Sequence, residues 1–165
     1  MSHFSSLSEL IVGSHVECLN EDSGHPVGNL LSSDPTRCLK SDIDPQLLVS
    51  IPFYSPVKLG ALRIRVTENR EAAPARIKLF TNRVSLGFSD AESLPAVQVI
   101  TQEDISSGEV VPLKFVLFQN VVSLQLFVES NQGNVDQTEI EGIELFGIAG
   151  ESMNMKEFKK VSEHE

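Results

Sequence analysis

The feature of this sequence that most restricts its fold is an alternation of apolar and polar residues with a period of two. Within residues 58–67, the aliphatic Leu62 and Ile64 alternate with the basic Arg63 and Arg65. Successive side chains of a β-strand point to opposite faces of a sheet, so this spacing predicts a strand with an aliphatic core face and a basic solvent face. The alternation returns in several later segments, and the chain is therefore expected to be mainly β-sheet.

Turn-forming residues separate these segments, and together they predict seven or eight strands. The predicted strands are 47–53, 58–66, 75–81, 96–100, 111–118, 121–129 and 138–147, with a short eighth at 15–18. Residues 47–53 and 113–118 are nearly continuous apolar runs, which are typical of strands buried on both faces. In the last segment the alternation changes phase at Gly142, which predicts a β-bulge there.

Helix is predicted in only two short places, at residues 5–12 and at a turn over 90–94. Many short antiparallel strands with polar connections and little helix predict an all-β fold, a β-sandwich or jelly roll. We expect one sandwich domain over residues 15–148, preceded by an N-terminal segment, 1–14, and followed by a flexible C-terminal tail, 149–165.

The tail has too little apolar content to form a core, yet Met155, Phe158 and Lys159 stand at positions i, i+3 and i+4. This spacing would place them on one face of a short amphipathic turn. Two interpretations stay open. The tail is a linear docking element for a groove on a partner protein, or Phe158 packs back on the sandwich.

Composition and charge argue against several classes of function. A net charge of −10 would repel a phosphate backbone, so nucleic-acid binding is not expected. No stretch approaches the roughly 18–20 apolar residues of a membrane span. Cys18 and Cys38 form no CxxC pair, which argues against dithiol redox chemistry and a cysteine-rich zinc site. Without a secretory signal, the chain is expected to be a cytoplasmic or nuclear monomer with no cofactor.

The candidates for catalysis are few. His15 and His25 flank Cys18 in sequence, which suggests a cysteine–histidine pair, but the apolar surroundings of Cys18 favour a buried small side chain. Asp42 and Asp44 could hold a hard cation or act as an acid–base pair. Aspartates before a proline at the start of a strand are also ordinary turn formers, and we favour this interpretation. The chain is therefore not expected to be an enzyme.

Basic charge is concentrated in the middle of the chain. Residues 54–83 hold seven basic side chains against only Glu68 and Glu71. Alternation points four of the seven outward, and they share one face if the two strands that carry them are neighbours. These four residues are Arg63, Arg65, Arg76 and Lys78. Such a face could dock an acidic partner with a salt-sensitive association rate, or it could be an ordinary solvated sheet face.

Several segments together resemble the PITH domain, whose name stands for proteasome-interacting thioredoxin. They are ECLNEDSGH (17–25), SDIDPQLLVSIPF (41–53), RIKLFTN (76–82), LKFVLFQNVVSLQLFVESNQG (113–133) and TEIEGIELFG (138–147). The resemblance covers about residues 12–161, and the tail segment MNMKEFKKV also resembles the family. It implies a jelly-roll sandwich of the galactose-binding-like type, and we expect a stand-alone member, without a thioredoxin domain before it.

The resemblance also implies a non-enzymatic role, association with the regulatory particle of the 26S proteasome in the cytoplasm and nucleus. The candidate partner-binding residues are Arg63, Arg65, Arg76, Lys78, Met155, Phe158, Lys159, Lys160 and His164. An imidazole near a chain end, such as that of His164, could also reach a metal held by another protein. The alternative function is binding of a small ligand or carbohydrate by the loop 20–31 and the turn 42–44. The absence of tryptophan and the single tyrosine weaken that alternative.

Overall fold

A computed structural model describes residues 4–150 of the chain as an assembly of short strands with very little helix. The strands are β1 (Ser5–Ser6), β2 (Glu17–Leu19), β3 (Leu39–Lys40), β4 (Leu47–Arg65), β5 (Pro74–Thr81), β6 (Gln98–Ile100), β7 (Val111–Pro112), β8 (Val121–Asn131), β9 (Glu139–Ile140) and β10 (Gly142–Ala149). The α-helices are α1 (Phe88–Ser93) and α2 (Gln102–Ser107). Short 3-10 helices lie at Ser8–Leu10, Gly13–His15, Val27–Leu31, Arg70–Ala72 and Phe115–Leu117. Within residues 4–150, no helix has the length and apolar character needed to cross a membrane.

The architecture is organised around β4, which belongs to both halves of the sandwich. The strands follow one another in the order β1-β10-β4-β8-β5-β6, all paired antiparallel, and β2 and β7 also pair with β4. Residues 47–52 of β4 pair with β8, and residues 57–65 pair with β10. The register shifts between Pro52 and Val57, which is where β4 passes from one half of the sandwich to the other. The sequence predicted two separate strands here, and the structure joins them into one.

The main core lies between the two halves of the sandwich. It contains the side chains that the period-two alternation assigned to the core. Leu62, Ile64, Ile77 and Leu79 are all at most 3% exposed, so the predicted core faces of these two strands are confirmed. They belong to one cluster of buried apolar side chains to which every long strand contributes. Leu7 joins this cluster, so the N-terminal segment packs on the sandwich.

A second, smaller cluster covers the outer face of β4, β5 and β8. Leu48, Phe80 and Phe127 pack there with Ala91 of α1. The first half of β4 is therefore buried on both faces, as its continuous apolar run predicted. Helix α1 covers this cluster. It overlaps the turn predicted at residues 90–94 but begins two residues earlier, at Phe88.

Three predicted local structures are wrong. The segment 111–118 is a strand only at β7, because the next residues form a 3-10 helix that exposes 79% of Val116. The segment is anchored mainly at its two ends, by the buried side chains of Leu113 and Phe118. The helix predicted at residues 5–12 is a two-residue strand followed by a single 3-10 turn.

The third wrong prediction is the β-bulge at Gly142. The phase change there arises because β9 pairs with β3, whereas β10 pairs with β4. The register shift in β10 lies instead between Phe146 and Gly147, opposite Gly60. A glycine suits this bulge because a Cβ at position 60 would strike the ring of Phe4.

Gly147 is a sensitive test of this strand pairing. A Cβ on Gly147 would collide with the backbone carbonyl of Lys58, which cannot move without disturbing β4. Gly147→Ala is therefore expected to lower the free energy of unfolding by about 1–3 kcal/mol. Gly28→Ala is the matched control, because a Cβ added to Gly28 would meet no other atom within 4 Å. Urea unfolding of both variants measures the difference, and equal stability of the two would contradict the register described here.

Candidate functional site

The four predicted basic residues do not form one face. Arg63 and Arg65 lie on the half of β4 that pairs with β10, whereas Arg76 and Lys78 lie on β5. Strand β8 separates β4 from β5, so the condition that the two strands are neighbours is not met. The predicted common basic face is therefore wrong, because β4 leaves the half of the sandwich to which β5 belongs before it reaches its arginines.

The three arginines are each paired with a carboxylate. Glu144 of β10 lies opposite Arg63 in the register and receives Arg65 Nη1 at 2.8 Å and Arg63 Nη1 at 3.6 Å. Arg76 Nη1 contacts a carboxylate oxygen of Glu129 at 2.5 Å. These pairs offset most of the local positive charge, so the surface is a mixed one rather than a basic one. The role of the arginines in partner binding stays a prediction.

Lys78 is the clearest departure from the prediction. Alternation points it away from the main core, but α1 covers that face, and Lys78 is only 7% exposed. Its ammonium group donates hydrogen bonds to the carbonyl oxygens of Ala91 at 2.7 Å, Leu94 at 2.8 Å and Glu92 at 3.3 Å. These carbonyls end α1 and would otherwise lack partners, so Lys78 holds the helix in place. The expectation that Lys78 faces solvent is wrong.

The remaining predicted binding residues lie outside the described residues. They are Met155, Phe158, Lys159, Lys160 and His164. Their role stays a prediction.

The geometry around Cys18 argues against a nucleophile. Burial, with a smaller contribution from the charge of Glu21, raises the pKa of the Cys18 thiol from 9.0 to about 12. Its Sγ lies 3.5 Å from the carbonyl oxygen of Leu19, and it lines a cavity of about 180 Å³ whose described lining includes no histidine. His25 is engaged elsewhere, with Nδ1 at 2.8 Å from Asp22 Oδ2. The thiol stays protonated at neutral pH, and the side chain is partly buried against the core rather than fully buried as predicted.

The turn at residues 42–44, a possible cation site in the sequence, is stabilised by hydrogen bonds that involve Asp44. The Oδ1 atom of Asp44 accepts hydrogen bonds from the backbone N–H of Gln46 at 3.0 Å and from the amide of Asn20 at 3.0 Å. Asn20 has a φ of 72°, and its amide also donates to the carbonyl oxygen of Gln46 at 2.8 Å. Over residues 4–150, no group of three or more acidic, cysteine or histidine side chains could hold a metal ion. The turn interpretation of Asp44 therefore agrees with the geometry.

Solved structures place this architecture in a known class. The family 32 CBM from C. perfringens NanJ, in complex with galactose, matches with a TM-score of 0.63 over 87% of this chain and 98% of that chain. The two sequences are only 11% identical, so the match concerns the fold alone. The protein is a jelly-roll β-sandwich of the galactose-binding-like type, which confirms the predicted fold class.

Sequence relatives identify the family within this class. The PITH domain family matches residues 1–163. Thioredoxin-like protein 1 of Schizosaccharomyces pombe is 40% identical over 149 residues, which cover 87% of this chain and 51% of that protein. PITH domain-containing protein 1 of Xenopus laevis is 31% identical over 137 residues, which cover 80% of this chain and 65% of that protein. The chain belongs to the PITH domain family, and it spans less than two thirds of the length of these two relatives.

Replacing Lys78 by methionine tests whether it stabilises the fold more than the exposed Arg76 does. Lys78→Met would leave buried carbonyls at the end of α1 unpaired, so the free energy of unfolding should fall by about 1–3 kcal/mol. Arg76→Met removes only a pair in which 51% of the arginine side chain is exposed. We expect this control to change stability by less than about 1 kcal/mol. Chemical unfolding measures the free energy of unfolding of both variants. An equal or larger decrease for Arg76→Met would contradict the burial of Lys78.

Proposed function

We propose that this domain is a non-catalytic protein-interaction module that docks as a monomer on the regulatory particle of the 26S proteasome, in the cytoplasm and nucleus. The observation that carries the proposal is membership of the PITH domain family over residues 1–163. The 40% identity with a thioredoxin-like protein supports it, since the family name refers to a proteasome-interacting thioredoxin.

The geometry of the described residues favours a docking role over a chemical one. The partly buried thiol of Cys18 is protonated at neutral pH, and no histidine is among the described residues that line its cavity. The polar groups of Asn20 and Asp44, which the ligand-binding alternative would need, bond to one another. A strand that is paired along both halves of the sandwich gives a rigid platform, and rigid platforms keep the ordering cost of association small.

Within this proposal, the C-terminal tail provides one principal contact. The arginines of β4 and β5 are less suited to it, because their contacts with Glu144 and Glu129 leave less free positive charge for an acidic partner. The tail combines apolar Met155 and Phe158 with basic Lys159 and Lys160. An apolar anchor flanked by charge is a common way for a short segment to enter a partner groove.

Direct binding to purified 26S proteasome tests the proposal. We expect the full chain to bind the 26S particle but not the isolated 20S core particle, which lacks the regulatory particle. A truncation to residues 1–150 should bind about tenfold or more weakly, which corresponds to the loss of about 1.4 kcal/mol. Phe158→Ala should reproduce much of that loss. Met153→Ala is the matched control, because helical spacing puts position 153 on the side away from Phe158.

The outcomes separate the alternatives. Binding to neither particle would rule out proteasome docking by this domain. Full binding by the truncated chain that fades with salt would move the contact from the tail to charged residues of the sandwich. A rise in melting temperature with galactose, but no proteasome binding, would favour the carbohydrate alternative.

A further inference from the structure

Six large apolar side chains are exposed at one end of the sandwich, the end at which β4 passes between its halves. They are Tyr54, Val84, Val116, Leu117, Val122 and Ile148. Their exposure ranges from 37% for Ile148 to 89% for Val84. Single exposed apolar residues are ordinary on protein surfaces, whereas a group of them at one place is typical of an interaction site. We refer to these six residues, with the three cations described below, as the end surface.

Backbone contacts bring the segments of the end surface together. Asn82 Oδ1 accepts a hydrogen bond from the N–H of Val122 at 2.8 Å, and its amide donates to the carbonyl oxygen of Asn120 at 2.9 Å. These bonds place the loop that carries Val84 beside the start of β8. On the other side, the N–H of Leu59 donates to the carbonyl oxygen of Phe118 at 2.9 Å, next to the exposed 3-10 turn.

Among residues 4–150, most of the cations without a carboxylate partner in that range lie on the end surface. Ten lysines and arginines lie in residues 4–150. Five of them have a carboxylate oxygen within 4.0 Å, and Lys78 is held by carbonyls. The other four are Lys58, Arg70, Arg83 and Lys114. Three of these four, all except Arg70, lie on the segments of the end surface.

The described segments at this end carry no acidic side chain of their own, although Glu17 of β2 lines a cavity together with Arg83. The four segments that form it are 53–58, 82–86, 114–122 and 148–150, and none of them contains an aspartate or glutamate. The whole chain has 23 acidic residues and a net charge of −10. An apolar end that is locally basic on a strongly acidic protein is therefore electrostatically distinct from the rest of the surface.

We propose that the end surface docks a protein segment that carries apolar side chains flanked by aspartate or glutamate. The apolar side chains of the segment would cover those around Tyr54 and Val116, and its carboxylates would pair with Lys58, Arg83 and Lys114. Charge complementarity selects an acidic partner, since a basic one would meet the three cations at short range. The proposal goes beyond proteasome docking, because it defines the partner by its chemistry and can be tested without the proteasome.

A nucleic acid or an anionic membrane fits the end surface less well. Binding to a phosphate backbone depends on many cationic contacts, and the end surface offers three cations on a chain of net charge −10. The same acidic charge opposes approach to an anionic bilayer. A short protein segment can confine its contacts to the end surface and avoid the acidic remainder.

Selection of short random peptides displayed on phage against the immobilised full chain tests the proposal. We expect the enriched peptides to combine apolar with acidic residues. Synthetic versions should bind Val116→Ser and Arg83→Glu at least about tenfold more weakly than the unmodified chain, a loss typical of a central contact. Val110→Ser and Arg70→Glu are the matched controls, because Val110 is exposed and Arg70 is unpaired but both lie outside the end surface. All four positions are exposed, and thermal unfolding verifies that each variant is folded.

Several results would overturn the proposal. They are the absence of enriched peptides, enrichment of basic peptides, and an equal loss of affinity in the control variants. Binding of the full chain to vesicles containing phosphatidylserine, lost in Arg83→Glu, would show that the end surface meets a membrane. The N–H of Gly150, the last described residue, donates to the carbonyl oxygen of Pro56 at 3.2 Å, so the described chain ends at this surface. A tenfold gain in peptide affinity on truncation to residues 1–150 would show that the chain's own tail is the occupant.

Discussion

The structure depends on the hydrogen bonding of a single strand, β4, which runs for 19 residues through both halves of the sandwich. Its first part pairs with β2 and β8, and its second part pairs with β7 and β10. Because each pairing also fixes a register, β4 determines which side chains face the core in both halves. The close approach of Gly147 to the carbonyl of Lys58 shows how little freedom this pairing leaves.

The course of β4 also decides where charge appears on the surface. Crossing between the halves carries Arg63 and Arg65 away from Arg76, and it places each arginine within reach of a glutamate on its own side. Of the seven basic residues in 54–83, three arginines are thus paired with carboxylates, and Lys78 is held by backbone carbonyls. Among the described residues, Lys58 and Lys114 have no carboxylate oxygen within 4.0 Å, and they lie on segments that meet near the crossing, beside exposed apolar side chains. Proximity along the sequence was therefore a poor guide to proximity on the surface.

Period-two alternation was sufficient to predict most of the strands and the core, because it depends only on local geometry. Leu62, Ile64, Ile77 and Leu79 were assigned to the core by this pattern, and all four are buried. The family and the fold class were predictable from the segments that resemble the PITH domain. Features that depend on distant parts of the chain were not predictable in the same way. Lys78 is buried because α1 folds over its face, and the alternation within β5 carries no information about α1. The absence of aspartate and glutamate from the four segments of the end surface could be read from the sequence. That these segments lie together could be learned only from the structure.

Hydrogen exchange of the full chain, alone and saturated with purified 26S proteasome, is the most direct test of the docking proposed for the end surface and the tail. We expect slower exchange in residues 54–58, 82–86, 114–122 and 148–165. Exchange should be unchanged in β4 over residues 48–50, which pair with β2 on one side and with β8 on the other. Slower exchange confined to the loop 20–31, or no change anywhere at saturation, would contradict the proposed docking.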